Sequence, residues 1–315
     1  MPASKRPVVL IKVDRDQTER WQQALLRMRP DLELRTFPFV GDPESVDVAL
    51  VWNPPQGLLA SLSNLQAVVS IGAGVDHILK DPQYPRKVPL VRMVDPGLTQ
   101  GMVEYIVMST LLCSRHMYKA FLNQSLKQWD AFEAPLSKDV NVGILGLGNI
   151  GLEAALALKG LGFKVLGWSR TEKFVEGLTT FHASAGLERM LSWCEILVNV
   201  LPLTDETRGI LGAGTFNRLP KGARVINVGR GEHCVEADLI KALDSGRLSA
   251  AVLDVFQTEP LPTDSPLWHH EKVIVTPHFA GVTAPETAAA ALITTLDEIE
   301  RDLPLSNRVN LHHGY

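Results

Sequence analysis

The stretch "GILGLGNIGLEAALALKGLGFKVLGWSR", residues 143–170, constrains the fold more than any other. An apolar run leads into a glycine-rich turn, then an alanine- and leucine-rich stretch of helical length, then a second apolar run. Such a strand–helix–strand unit predicts parallel strands joined by a crossover helix. The same alternation recurs along the chain. "PVVLIKV", "VDVALVW" and "LQAVVSIG" read as buried strands, with helical segments such as "TERWQQALLRM" between them. A second series runs through "VNVGILGLG", "FKVLGWS", "EILVNVLPL", "ARVINVGRG", "SAAVLDVF" and "KVIVTPHFAG". These six strands with intervening helices describe a complete doubly wound sheet. The predicted class is α/β, with two Rossmann-like lobes of parallel sheet, the first flavodoxin-like.

Two lobes are affordable at this size. The chain has 315 residues, 45% of them hydrophobic and 21% charged, a globular composition able to bury more than one core. "GMVEYIVMSTLLCSRHMYKAFLN" is apolar nearly all round from Val103 to Cys113 and predicts a buried helix joining the lobes. "TAPETAAAALITTLDEIERDL" predicts a long helix returning the chain to the first lobe. The expected division is 1–100 plus 284–315 as a substrate-binding lobe, around 101–283 as a dinucleotide-binding lobe.

The formal net charge of −4 argues against a nucleic-acid-binding or polybasic membrane surface. The opening "MPASKRPVVLIKVDRD" has too short an apolar run for a signal peptide and reads as a first strand. No uncharged apolar stretch approaches the roughly 18 residues of a membrane helix. A cytoplasmic protein is therefore expected. Cys113, Cys194 and Cys234 are odd in number and far apart, so buried thiols are expected rather than disulfides or a metal site.

Gly146-Leu147-Gly148-Asn149-Ile150-Gly151 fits G-x-G-x-x-G. The hexapeptide alone is weak evidence, but a strand precedes it and a helix and second strand follow. Gly146 permits the tight turn, Gly148 lets a pyrophosphate approach, and Gly151 allows close helix–strand packing. The helix amides then meet the phosphate charge. A ribose-binding carboxylate is expected about 20 residues further on. Ser169 stands there instead, 18 residues after Gly151, followed by Arg170, Thr171 and, slightly later, Lys173. A carboxylate would repel a 2′-phosphate, whereas these donors and cations attract one. The expected cofactor is NADP(H), with NADPH preferred over NADH.

Three further segments end where the last strands end. "VINVGRG" delivers Arg230, "LDVFQTEP" delivers Asp254 and Glu259, and "VIVTPHFAG" delivers His278. Ligands of open α/β sheets bind beyond the carboxyl ends of the strands. There, arginine grips a carboxylate bidentately and histidine exchanges a proton with a carbonyl oxygen. A carboxylate beside the imidazole orients it and favours its charged form. The set suits reduction of a 2-keto acid.

Taken together, "GILGLGNIG", "VNVLPLTDETRGILG", "INVGRG", "ALDSGRLSAAVLDVFQTEPLP" and "VIVTPHFAG" resemble the D-isomer-specific 2-hydroxyacid dehydrogenases over almost the whole chain. Within that family, "LVWNPP", "GAGVDHIL", "WSRT" and "EPLPTDSPLWHHEKVIVTPH" look most like members that reduce glyoxylate and hydroxypyruvate. The resemblance implies that Arg230 binds substrate, His278 is the acid/base and Glu259 is its partner. It places Leu201, Pro202 and Asp254 on the nicotinamide side, with Val228, Gly229 and Ala280 in the flanking cofactor wall. Backbone amides of Ala73, Gly74 and Val75 would hold the substrate carboxylate, and Trp52 would wall the pocket. Asp95 and Gly229 depart from the family's usual asparagine and alanine. Lobes closing over the substrate and a homodimer through the cofactor lobe are likewise implied. The rivals are a phosphoglycerate- or formate-dehydrogenase-like enzyme, or a non-catalytic nucleotide-sensing protein of the same fold.

Overall fold

A computed structural model describes residues 6–315; the basic start of the opening segment, up to Lys5, lies outside the described residues. The chain forms two compact units, one running to Leu98 and resuming at Thr283–Tyr315, the other Thr99–Val282.

The first unit is built on five strands, β1 (Val8–Lys12), β2 (Glu33–Thr36), β3 (Val48–Val51), β4 (Ala67–Ser70) and β5 (Leu90–Val91), in the order β2-β1-β3-β4-β5. Every pairing is parallel. Successive side chains leave opposite faces, so a sheet covered on both sides needs continuous apolar runs. Val9, Ile11, Val48, Leu50 and Val69 pack on one face against Trp21 and Leu25 of helix α1 (Arg15–Met28), together with Ala288, Leu292 and Leu296 from the C-terminal helix. Leu10, Ala49, Val51 and Val68 pack on the other against Leu59, Leu62 and Ile78, the last on helix α2 (Asp76–Leu79). β2 and β5 escape the pattern reading. "ELRT" is an edge strand of partly exposed residues, and "LV" is too short to show a period.

Helix α3 (Pro96–Ser114) opens with Asp95 Oδ2 accepting from the Leu98 amide at 2.8 Å, so Asp95 works as an N-cap. The single helix expected through residue 123 is broken. His116 takes a left-handed conformation (φ 56°), and α4 (Met117–Ser125) starts anew. Met108 and Glu104 of α3 also face solvent, so its apolar girdle is not wholly buried.

The second unit carries seven parallel strands, β6 (Asn141–Leu145), β7 (Lys164–Ser169), β8 (Thr179–His182), β9 (Ile196–Asn199), β10 (Ala223–Asn227), β11 (Leu248–Leu253) and β12 (Val273–Val275). Their order is β12-β11-β10-β9-β6-β7-β8. The six expected strands are joined by β8, an edge strand whose "TTFH" has one apolar residue, Phe181. Helices α5 (Asn149–Gly160), α6 (Ala183–Leu191), α7 (Ala213–Arg218) and α8 (Glu236–Asp244) connect them, and α9 (Pro285–Glu300) is the C-terminal helix of the first unit. Strand order reverses between β6 and β9, which makes their carboxyl ends the switch point where this architecture binds ligands. The three cysteines are buried free thiols. Burial pushes each up to about 12, so they pack as neutral side chains. No helix of the described residues is long and apolar enough to cross a membrane.

Candidate active site

At the switch point, Gly146 follows β6 with φ 103°, a conformation that favours glycine. A side chain there would meet the Val200 carbonyl and Leu201, so the two strand ends approach closely. At Gly151 an added Cβ would lie 1.8 Å from the Gly146 carbonyl oxygen, which leaves glycine as the residue that lets α5 seat against β6. Gly148 is different. An added Cβ meets nothing within 4 Å, and no side chain caps the helix. The amides of Gly148, Asn149 and Ile150 donate to no acceptor among the described residues. Open space in front of free amides at a helix start fits a dinucleotide pyrophosphate. Gly148→Ala is expected to leave the melting temperature unchanged while raising the KM for NADPH about tenfold. Gly151→Ala is expected to destabilise the fold by about 1–3 kcal/mol through overpacking; thermal melts and cofactor titrations check both.

At the end of β7, Ser169 is buried and its hydroxyl donates to the Thr171 carbonyl at 2.8 Å. Arg170, Thr171 and Lys173 are exposed. Lys173 Nζ donates to the Leu147 carbonyl at 2.7 Å, so the basic strand end and the glycine loop meet.

Beyond β10, β11 and β12 the polar set gathers. Asp254, 1% exposed, accepts from the Thr276 hydroxyl (2.7 Å) and from the amides of Phe279 (3.0 Å) and Ala280 (2.9 Å). Burial raises its carboxyl above the ordinary value, and those hydrogen bonds oppose the rise. Three contacts on residues 276–280 hold His278 in a left-handed conformation (φ 50°), one that costs of order 1–3 kcal/mol and persists only when its surroundings impose it. Asp254 thus aims the histidine loop as well as standing in the expected cofactor wall. Behind it, the Tyr105 hydroxyl lies 2.6 Å from Thr276 Oγ1.

His278 Nδ1 lies 2.7 Å from Glu259 Oε2, both side chains being 35% exposed. Glu259 Oε1 accepts from the Phe256 amide at 2.9 Å. Burial alone would raise the Glu259 carboxyl. The bonds from His278 and Phe256 and the charges of His278 and Arg230 outweigh it, holding Glu259 below its ordinary value. The carboxylate therefore stays ionised and takes Nδ1–H, while Nε2 has no hydrogen-bond partner among the described residues.

Arg230 follows β10, its Nη1 donating to the Gly229 carbonyl at 2.9 Å. Its backbone is clamped by residues that sequence reading passed over. The Arg230 amide donates to His233 Nδ1 (2.9 Å), and Asn227 Nδ2 donates to the Arg230 carbonyl (3.0 Å). With Nδ1 accepting, His233 Nε2 donates to the Pro202 carbonyl (3.2 Å), while Asn199 bridges Asn227 and His233 at 2.9 Å each. Leu201, Val228 and Ala280 are buried around these turns, and a Cβ on Gly229 would strike Asn199 and His233 at 2.8 Å. The one available signal was an asparagine at the same place in "LVNV" and "VINV", an amide closing each buried strand.

In the first unit, Trp52 packs its ring against His77 at 4.1 Å between centroids. The amides of Ala73, Gly74 and Val75 donate to no acceptor among the described residues.

Residues 107–280 match the model of "D-isomer specific 2-hydroxyacid dehydrogenase, NAD binding domain". The chain is 38% identical over 304 residues to glyoxylate/hydroxypyruvate reductase A of Yersinia enterocolitica, covering 95% of this chain and 97% of that protein. Among solved structures, a D-isomer specific 2-hydroxyacid dehydrogenase from Xanthobacter autotrophicus Py2, in complex with NADPH and MES, is similar with TM-score 0.94. It is 40% identical, covering 99% of this chain and 100% of that one. An NADPH-dependent glyoxylate/hydroxypyruvate reductase from Sinorhizobium meliloti, in complex with NADP and sulfate, gives TM-score 0.91 at 37% identity, with coverage of 99% and 100%.

Proposed function

The chain belongs to the D-isomer specific 2-hydroxyacid dehydrogenase family, and within it we propose an NADPH-dependent reductase of small 2-keto acids, glyoxylate and hydroxypyruvate first. The observation that carries this reading is the ionised Glu259 on Nδ1 of His278, with Nε2 left for a substrate. The Xanthobacter and Sinorhizobium neighbours, bound to NADPH and NADP, support the cofactor.

Bound at the glycine loop, NADPH supplies the hydride. The free amides of Gly148, Asn149 and Ile150 bind its phosphates, and Arg170 with Lys173 and Thr171 attracts the 2′-phosphate. Arg230 grips the substrate carboxylate and fixes the orientation of the keto carbon, while Leu201, Pro202, Val228 and Ala280 would hold the nicotinamide end of the cofactor, which would supply the hydride. His278 gives its Nε2 proton to the carbonyl oxygen as the carbon is reduced, and regains one from water after the hydroxy acid leaves. The unit of residues to 98 and 283–315 is the substrate-binding lobe and 99–282 the cofactor lobe. In the former, the amides of Ala73, Gly74 and Val75 receive the carboxylate and Trp52 walls the pocket.

A homodimer through the cofactor lobe is supported by the exposed apolar side chains Phe121, Leu126, Trp129 and Leu136 on and after α4. The cytoplasm, where NADPH is held reduced, is the compartment proposed.

The direct test follows nicotinamide absorbance over a panel of 2-keto acids with NADPH and NADH; absence of turnover with every acid overturns the reading. Cofactor choice has its own test. Ser169→Asp with Arg170→Ala removes a charge-assisted contact worth roughly 1.5–3 kcal/mol, about 10–150-fold, and adds a carboxylate that repels the phosphate. NADPH kcat/KM is expected to fall by that factor, with NADH far less affected. An unchanged ratio would remove this strand end from the choice.

A further inference from the structure

Beside the loop assigned to the substrate carboxylate lies a buried polar chain with no role in the chemistry. His77 and Ser70 are 6% and 0% exposed. The Asn53 amide donates to His77 Nδ1 at 3.1 Å, which leaves Nε2 as the donor to Ser70 Oγ, also at 3.1 Å. The Ser70 hydroxyl donates in turn to the Gly74 carbonyl (2.9 Å) and accepts from the Gly72 amide (3.3 Å). His77 also carries the Trp52 ring, which fills the space a side chain at Gly72 would need, since a Cβ there would lie 2.8 Å from the indole. Buried polar groups cost free energy unless paired, and an apolar pair of the same size would fill this space without that requirement. What the polar pair adds is direction.

In a trans peptide the C=O and N–H point opposite ways. Ser70 holds the Gly74 carbonyl, so the Val75 N–H of that same peptide is aimed away from Ser70. The Met93 amide holds the Gly72 carbonyl at 3.2 Å, which aims the Ala73 N–H likewise. These are amides without an acceptor among the described residues.

We infer that His77 is a positioning residue that, through Ser70, sets the direction of the Val75 amide and, through Trp52 packed at Gly72, the path of the chain into Ala73, and so the affinity for the substrate carboxylate. The inference rests on the proposed reductase reading, which assigns those amides to the substrate. His77→Phe keeps a ring under Trp52 but removes both hydrogen bonds. Ser70→Ala leaves His77 in place and cuts its link to the loop.

Each variant is expected to raise the KM for glyoxylate about tenfold, the loss of one or two hydrogen bonds, with kcat and the KM for NADPH within about twofold. His77→Gln, which restores a donor and an acceptor, is expected to recover part of the loss. Equal losses in both KM values, or an unchanged glyoxylate KM in Ser70→Ala, overturn the inference. Calorimetric titration of oxalate in the presence of NADP separates it from the reductase reading. If the wild type turns over no 2-keto acid, weaker oxalate binding in Ser70→Ala still supports positioning. Equal oxalate binding in Ser70→Ala, or none in the wild type, overturns it.

Discussion

His278→Ala is expected to lower kcat/KM for a 2-keto acid by about 10²–10⁴-fold, the usual worth of a positioned acid/base. The KM for NADPH is expected to stay near the wild-type value, because the glycine loop and β7 end are untouched. Glu259→Gln gives the sharper reading. Glu259 is held below its ordinary value chiefly by what outweighs burial, the bond from His278 and the Phe256 amide, so it remains a carboxylate through neutral pH. Glutamine keeps the shape and removes the charge 2.7 Å from Nδ1. An imidazolium without that counter-charge is less favoured, so the pH above which reduction declines is expected to move down. Linkage fixes a second sign. A depressed carboxyl contributes stability that is present above its unfolded value and lost as pH falls through its folded value. The melting-temperature advantage of wild type over Glu259→Gln is therefore expected at neutral pH and to vanish in acid. An unmoved pH–rate profile with activity retained would refute the pairing.

What was legible in the chain follows from period and punctuation. Buried parallel strands are continuous apolar runs, so β1, β3, β4, β6, β7 and β9 to β12 announce themselves, as does each polar residue that ends one. Arg230, Asp254 and His278 stand directly beyond β10, β11 and β12 for that reason. The edge strands β2 and β8 do not announce themselves, because one covered side suffices for them and three of the four residues in each are polar. Nor does the break between α3 and α4, where His116 adopts a left-handed conformation that composition does not signal. The least legible residues are the ones that orient others. Ser70, His77, Asn199, Asn227 and His233 sit within or beside apolar runs, and their partners are one another and backbone groups brought near by folding. No spacing rule links them to the loops they hold. Asp254 was visible as a strand-end acid, but its grip on the Thr276, Phe279 and Ala280 groups could be seen only in three dimensions.

Arg230→Lys is expected to lower kcat/KM for a 2-keto acid by roughly 10–150-fold, equivalent to about 1.5–3 kcal/mol for a charged hydrogen bond. The charge survives in lysine, so what the substitution removes is the planar fork that meets a carboxylate with two parallel bonds. The site amplifies that loss because the arginine backbone cannot shift to compensate. Its amide is bound to His233 Nδ1, its carbonyl to Asn227, and His233 is anchored to the Pro202 carbonyl. A lysine ammonium on this fixed backbone reaches one carboxylate oxygen at a time. The binding defect is expected with truncated and full-length acids alike, since it concerns the carboxylate they share. The pH–rate profile provides the control. Arg230 also helps to keep Glu259 ionised, and lysine preserves that charge, so Arg230→Lys is expected to leave the decline of reduction at the wild-type pH. Arg230→Met removes fork and charge together and is expected to be less active still. Near-normal kinetics in the lysine variant would take Arg230 out of the substrate site.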